Sequence, residues 1–516
     1  MAERRGINLE DPANQEMLRL RQALAPFLGR DNKKVEASEI ERQWPVIQQC
    51  EAASGPDAGG HPKMAEELWG HLVGACENIA VHVRWPPADE RWATVRRILL
   101  KATNDRVPEA DEDEDAKEDR WPSWGWPAPR LDAARALPIL ANRLGRADHD
   151  VAASLRRLCR DKSHPLRFNL ADRLAVLAEA APTLMWELVD AFIDQEQKFS
   201  VLDALSLALD RLWSTAPEGV RPRLRRIADR AMQDAPEDNH IHETLAYTHL
   251  FRFLRTGDTD CEDFINRLLA ECDSHRASHA LGPQLHACRS GGWLTAGDGV
   301  SPDADADTVR ARTWSFFSGL LTAAQTKLKA HRETLLQLHE QGSQDTDASE
   351  PVRERLDRVM RLVDGVAMQL YFASGAHEEK SQTAEDRLTA AQSRRFWKEA
   401  APLLRALAAE SHPHTAHQLL QALHHLLPHA PREIFLVAAQ SILSSAKAGL
   451  QYESLAVGDV VRLIQRALAD HRELFRSDAG NESECLVALF RVLDLFVEAG
   501  WAEARQLTHR LEDVYR

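Results

Sequence analysis

The residues best suited to chemistry lie in one short segment, CDSHRASHALGPQLHAC, which supplies Cys272, His275, His279 and Cys288. Zinc in proteins is typically held by four thiolate or imidazole ligands in a tetrahedral array. His275 and His279 are four positions apart, so a helix would present both on one face. These four residues are therefore the candidate zinc ligands of the chain. The simpler alternative is that the cysteines are buried core residues and that the histidines cluster by chance among 22 in the chain.

A second candidate site is the stretch WPSWGWP, which contains Trp121, Trp124 and Trp126. Indole side chains bury a large area and are enriched at the centres of protein interfaces. The stretch therefore predicts a partner-binding patch. The structural alternative is that the three indoles pin the returning chain to a layer of helices.

Two further groups of polar residues could carry catalysis. A catalytic histidine needs a nucleophile or an orienting carboxylate nearby, and sequence spacing supplies neither here. We therefore interpret the first group as exposed or half-buried positions on a helix: His412, His414, His417, His424, His425 and His429. In the second group, Asn239 precedes His240, His242 and Glu243, and we interpret it as the N-cap of a helix with Glu243 in the first turn.

Catalytic motifs are missing from the sequence. The nearest approach to a phosphate-binding loop runs from Gly55 to Gly60, and His61 follows where the phosphate-binding lysine should stand. No G-x-S-x-G elbow, H-E-x-x-H pair or dinucleotide fingerprint occurs. We therefore expect a protein that is not an enzyme and has no cofactor, with a metal-dependent hydrolase built on Cys272 to Cys288 as the alternative.

The charge balance disfavours nucleic acid as the main partner. The formal net charge is -15 and the isoelectric point is about 5.8, whereas phosphate binding needs a basic surface. A nucleic-acid-binding solenoid stays an alternative if one face gathers a set of arginines. That set is Arg156, Arg157, Arg160, Arg221, Arg223, Arg225 and Arg226.

Targeting signals are also missing. No stretch approaches the roughly 20 apolar residues that span a bilayer, and the first residues, MAERRGINLEDPANQ, lack the apolar segment of a signal peptide. The seven cysteines are scattered, without the density of a disulfide framework. We therefore expect reduced thiols, a cytoplasmic location and no membrane partner.

The remaining sequence predicts helices. Ala, Leu, Arg and Glu dominate, and apolar residues recur at helical spacing: Leu166, Leu170, Leu174 and Leu177 share one face, as do Val201, Leu205, Leu209 and Leu212. Helices of this length are marginal alone and must bury their apolar stripes against neighbours. Pairs at intervals of roughly 35 to 45 residues predict an all-α, irregular helical-repeat solenoid.

One unit carries a more specific pattern. In DKSHPLRFNLADRLAVLAE, Asp161, Pro165 and Arg167 lead into an apolar second helix. The segment resembles a HEAT repeat, in which a proline turns the chain and an aspartate and an arginine bond across adjacent repeats. The resemblance implies a HEAT-like solenoid.

Composition divides the chain into five regions. Residues 1–108 are an N-terminal helical region, and 109–130 are an acidic and tryptophan-rich linker with eight acidic residues between Glu109 and Asp119. HEAT-like repeats are expected over 131–296, a loop-interrupted helical region over 297–393 and a C-terminal helical region over 394–516.

The C-terminal region, with HPHTAHQLLQALHHLLPHAPREIF and VGDVVRLIQRALADHRELF, resembles the C-terminal helices of large bacterial STAND-like, ATP-binding defence proteins. The NTPase core that defines those proteins is absent from this sequence. The resemblance implies a sensor or regulatory part of an anti-phage assembly. Taken together, we predict a non-enzymatic scaffold for a protein partner.

Overall fold

The computed structural model describes residues 7–28, 37–55, 59–109, 119–125, 127–294, 306–340, 346–377, 388–452, 454–476 and 483–507. Within these ranges the chain is helical and contains no strand. It divides into two compact units, Met1–Thr248 and His249–Arg516. This boundary falls inside the region 131–296 that composition marked as one stretch of repeats.

The first unit is built from short helices in close succession. They are α1 (Pro12–Ala23), α2 (Ala37–Ala53), α3 (Pro62–His82), α4 (Arg91–Ala102), α5 (Pro129–Leu144), α6 (His149–Cys159), α7 (His164–Arg173), α8 (Pro182–Gln195), α9 (Phe199–Arg211) and α10 (Pro217–Asp234). Helix α11 (Ile241–Thr256) begins in this unit. Proline opens several of them, as in α5 and α8, because the first helical position needs no amide hydrogen and proline already has a helical φ.

The helices of the first unit form two rows. In one row α1 packs on α3, α3 on α5, α5 on α7 and α7 on α9. In the other, α4 packs on α6, α6 on α8 and α8 on α10. Each helix therefore buries its stripe against neighbouring repeats, which is the packing of an α-solenoid. The predicted all-α, HEAT-like fold is confirmed.

The leucine stripes form the core of these repeats. Leu166, Leu170, Leu174 and Leu177 each have 0% exposure, as the helical spacing predicted. On α9, Val201 and Leu205 are equally buried. Burial of one such side chain contributes about 1.5–3 kcal/mol relative to exposure, so the stripes dominate repeat packing.

Polar residues at the turns connect one repeat to the next, as the HEAT resemblance implied. Asp161 lies 2.8 Å from Arg130 of the preceding repeat. Arg167 donates to the Asp161 carbonyl at 2.7 Å and pairs with Glu196 of the following repeat at 2.7 Å. The side chain of Glu196 is 1% exposed, so this ion pair is almost dry.

The second unit repeats the two-row pattern with longer helices. It contains α12 (Thr259–Ala270), α13 (His275–Ser290), α14 (Ala306–Glu340), α15 (Thr346–Ala373), α16 (Ala390–Ala409), α17 (Pro413–Leu426), α18 (Pro431–Ala446), α19 (Ser454–Asp470) and α20 (Glu484–Glu498). Helices α13, α15, α17 and α19 form one row, and α14, α16, α18 and α20 form the other. None of the helices in the described ranges could cross a membrane, since none is both long and apolar enough.

Candidate partner-binding cleft

The predicted zinc ligands lie around α13. Cys272 and Cys288 are completely buried, and the rings of His275 and His279 stack with centroids 6.2 Å apart. Across the described residues, no three His, Cys, Asp or Glu side chains are grouped to hold a metal ion. Burial raises the pKa of Cys272 to about 11, which favours the thiol over the thiolate that zinc binds. The zinc site stays a prediction that this geometry does not support.

The histidines of the C-terminal region have local partners. His412 lies 3.2 Å from Asp364 and 2.8 Å from the Thr415 hydroxyl. The ring of His417 lies 2.7 Å from Asp459. These contacts join neighbouring helices, so they serve the packing of the repeats.

The described residues at the end of the tryptophan-rich linker pack against the helices of the first unit. We call residues 119–125 with 127 and 128 the strap; Trp126, the third tryptophan of the predicted patch, lies outside the described residues. At its far end Pro127 packs on α3 at Gly70, where a Cβ would come within 2.3 Å of the proline ring. Glycine is therefore required at this close approach.

Asp119 anchors the near end of the strap. Its carboxylate accepts hydrogen bonds from the Phe199 amide, the Ser200 amide at 3.1 Å and the Ser200 hydroxyl at 2.6 Å. These donors stand at the start of α9, whose own N-cap residue, Lys198, makes no side-chain capping bond. A residue about 80 positions earlier in the chain thus supplies the N-cap, and its charge is favourable at the positive helix end.

Trp121 makes the second anchor. Its Nε1 donates to Oδ2 of Asp203 at 2.7 Å, and the same oxygen lies 3.0 Å from Nδ1 of His240. The indole also meets the rings of Phe168 and His240, with centroids 5.7 Å and 5.4 Å away. Trp121 is nevertheless 54% exposed. It therefore pins the strap while more than half of the indole stays exposed, and the partner-binding patch stays a prediction.

Asp203 sets the electrostatics beneath Trp121. The side chain is completely buried, and its Oδ1 has no hydrogen-bond partner within the part of the chain that the structure describes. The hydrogen bond from His240 to Asp203 raises the pKa of that imidazole above its usual range. A negative charge is thus held under the strap with only one of its two oxygens hydrogen-bonded.

A serine, a histidine and an aspartate also meet here, yet in the wrong order for nucleophilic catalysis. Ser200 stands in the middle: its hydroxyl donates to Asp119 and lies 2.7 Å from Nε2 of His164, which must then be the donor. A serine nucleophile instead passes its proton to the histidine, which the carboxylate orients. Burial lowers the pKa of His164, consistent with a neutral ring that donates one hydrogen bond.

These residues enclose a surface cleft of ≈ 470 Å³. Its lining consists of Asp119, Arg120, Trp121, Ser200, Pro236, Asp238, Asn239 and His240. Asn239 caps α11 through the Ile241 amide at 3.1 Å, as its position in the sequence predicted. We call this feature the Trp121 cleft. Trp124, 37% exposed, belongs to the strap but not to the cleft lining.

Part of the predicted arginine face pairs with acidic residues. Arg156 of α6 pairs with Glu187 of α8 at 2.7 Å, and Arg223 and Arg226 of α10 both pair with Asp190 of α8. Each pair joins neighbouring helices of the same row. These three ion pairs offset part of the positive charge that phosphate binding needs.

Sequence reasoning missed Asp119 and Asp203, which hold the cleft residues in place. Asp119 lay at the end of an acidic run, where mutual repulsion was the only visible property. Asp203 offered a usable signal, because a carboxylate in the apolar segment SVLDALSLALDRLWS is rarely buried without a partner.

Neither a family model nor a curated protein matches this chain. Among solved structures, the chain is similar to the karyopherin Kap121p bound to the extreme C-terminus of the protein phosphatase Cdc14p, with 12% identity and a TM-score of 0.29. The match covers 98% of this chain and 60% of that chain, so this chain spans less than two thirds of the karyopherin.

Proposed function

We propose that this protein is a non-enzymatic helical-repeat scaffold that binds a protein partner at the Trp121 cleft. Trp121 supports the proposal most directly, because it is 54% exposed and yet fixed by a hydrogen bond to buried Asp203. An aromatic side chain that is already immobilised loses little conformational entropy on binding. Such residues supply most of the energy at protein interfaces.

The shape of the cleft supports a protein partner. Stacked helix pairs give extended surfaces that suit protein chains, and the cleft opens on such a surface. Exposed side chains such as Asp238 and His240 border it, and the half-exposed indole lies among them. A partly exposed aromatic with a polar border is the usual anatomy of a protein interface.

The polar groups in the cleft support a binding role over a hydrolytic one. The Ser200 hydroxyl donates to Asp119 and not to His164, so the arrangement differs from that of a serine nucleophile that a histidine deprotonates. Asp119 itself is committed to the amides at the start of α9. Both groups therefore stabilise the strap.

The resemblance of 394–516 to the helices of bacterial defence NTPases supports a finer proposal. In this proposal the scaffold is a cytoplasmic sensor or regulatory component of an anti-phage assembly. Co-purification of the tagged chain from infected and uninfected cells tests the assembly, and a partner set that does not respond to infection would contradict it.

Affinity capture with variants tests the binding site. The tagged wild-type chain is compared with Trp121→Ala, and the recovered proteins are quantified by mass spectrometry. We expect a partner that is enriched on wild type and lost on Trp121→Ala. Trp124→Ala and Leu336→Ala are the matched controls, since both residues are exposed apolar side chains outside the cleft lining. A partner retained equally by all variants would place the interface elsewhere.

A further inference from the structure

We infer that the Trp121 cleft recognises a basic segment of its partner, with an arginine or lysine side chain seated over the indole of Trp121. The inference rests on the proposed function, because it assigns the chemistry of the partner that this cleft binds. Three independent features of the site support it: the carboxylates, the exposed indole and the sequence that precedes the strap.

Carboxylates lie in and next to the cleft. Asp119 and Asp238 line it, and Asp203 lies at the edge of the Trp121 indole, where it accepts from Nε1 and contacts His240. Oδ1 of Asp203 is buried without a hydrogen-bond partner among the described residues, so its charge is only partly offset by local donors. A buried charge in this state acts on its surroundings through a low dielectric and attracts a cation placed over the cleft.

The positive groups nearby are already engaged. Arg120 lines the cleft but has an interaction of its own within the chain. The N-terminus of α9 is capped by Asp119, and that of α11 by Asn239. The half-exposed His240 directs Nδ1 at Asp203, and its raised pKa favours an imidazolium that offsets this one carboxylate, whereas Asp119 and Asp238 of the lining stay as further acidic groups. The cleft therefore presents a net negative environment.

The indole supplies the contact that selects a cation. Trp121 meets Phe168 and His240 at tilted or edge-on ring angles of 57° and 66°, and more than half of its surface stays open. Tryptophan is the strongest cation–π partner among the aromatic residues, and arginine is its most frequent cation. Among the described residues of the lining, the remaining apolar one is Pro236, which is too little to hold the apolar face of an amphipathic helix.

The preceding sequence favours the same partner. Eight acidic residues occur between Glu109 and Asp119, and the last of them is the residue that anchors the strap. A run of acidic residues that directly precedes Asp119 in the sequence attracts a basic segment over a distance and raises its association rate. The same charges repel nucleic acid and phosphorylated peptides, so these are excluded by the sign of the field.

The experiment measures fluorescence anisotropy of short labelled peptides titrated with the full-length chain. The three probes alternate arginine with glycine, glutamate with glycine, and leucine with serine. We expect the arginine peptide to bind and Trp121→Ala to weaken it about tenfold. Asp238→Asn removes one carboxylate of the lining without touching the core, and we expect it to weaken the same peptide severalfold. Trp124→Ala is the control and should bind like wild type.

Each remaining outcome decides a different point. If Trp121→Ala and Asp238→Asn bind the arginine peptide as well as wild type does, the peptide is attracted by the acidic run alone. That result would overturn the inference. If the glutamate or leucine peptide binds better and its binding still depends on Trp121, the inference that the partner segment is basic is overturned. The cleft then stays the proposed partner site. The proposed function itself is overturned by two results together. None of the three peptides binds in a Trp121-dependent way, and Trp121→Ala captures the same partners as wild type.

Discussion

Nε1 of Trp121 donates a hydrogen bond of 2.7 Å to Oδ2 of Asp203, a residue 82 positions further along the chain. This bond ties the linker before α5 to the middle of α9. It keeps the indole fixed while leaving it 54% exposed, and it places a buried carboxylate beneath the cleft. The strap is therefore part of the fold of the first unit, and in the proposed function this anchoring holds Trp121 in place for a partner.

The first prediction concerns the pKa of His240. In wild type the hydrogen bond to Asp203 raises this pKa, so the stability it contributes is present at acidic pH and is lost as the pH rises through the folded-state pKa. Asp203→Asn removes the anion, and we expect the pKa of His240 to fall. An NMR titration of the imidazole resonances measures it, with His149, whose side chain is 95% exposed, as the internal control. An unchanged His240 pKa would show that Asp203 does not set it.

The second prediction concerns the cap of α9. Asp119→Ala removes the acceptor for the Phe199 and Ser200 amides, and losing such a cap costs about 1 kcal/mol. We expect both amides to exchange their hydrogens faster and the strap to become sensitive to protease. Asp238→Ala changes an exposed carboxylate of the same cleft and should leave both amides as they are in wild type. Equal exchange rates in Asp119→Ala and wild type would contradict the capping role.

The third prediction concerns a buried carboxyl pair between α3 and α5. Asp132 and Glu77 are 5% and 7% exposed, and Arg135 pairs with Glu77 at 2.6 Å. Burial, followed by the charge of Glu77, raises the pKa of Asp132 from 3.8 to about 8. The folded state therefore holds a proton that the unfolded state releases, so stability falls as the pH rises between these two values.

Asp132→Asn tests this linkage, because the amide is neutral at every pH. We expect the melting temperature of wild type to drop between about pH 5 and about pH 8, and that of Asp132→Asn to drop less. Thermal unfolding monitored by circular dichroism measures the melting temperatures of both proteins. Parallel curves for the two proteins would show that Asp132 does not carry the proton.

The fourth prediction compares two interhelical ion pairs of different burial. Arg167→Ala leaves the carboxylate of Glu196, 1% exposed, without its cation, and an uncompensated buried charge costs about 3 kcal/mol. The exposed pair of Arg156 with Glu187 is the control, and Arg156→Ala should leave the unfolding curve nearly unchanged because solvent screens the pair. Denaturant unfolding measures both variants. Equal effects of the two would contradict the structural role of the buried pair of Arg167 with Glu196.

The repeats could be predicted from the sequence because their signals are local. The spacing from Leu166 to Leu177 defines a buried face without knowledge of any neighbour, and the structure buries all four leucines. Asp161 and Arg167 bond across repeats as the HEAT resemblance implied. Such features depend on periodicity, which a single sequence carries.

The cleft could not be predicted, because its contacts join distant residues. Nothing local to Asp119 indicates that it caps a helix about 80 positions later. The predicted zinc ligands illustrate the same dependence on packing: the spacing of His275 and His279 predicts a shared helix face, whereas the complete burial of Cys272 and Cys288 is set by tertiary contacts. Sequence spacing predicts which side chains share a face, whereas tertiary packing decides which of them can meet a ligand.

Hydrogen exchange of the chain with and without its captured partner tests the central claim most directly. The account predicts protection of the strap, of the start of α9 near Ser200 and of the start of α11 near Asn239, with no such protection in Trp121→Ala. Protection confined to other helices, with the strap exchanging as in the free chain, would contradict it.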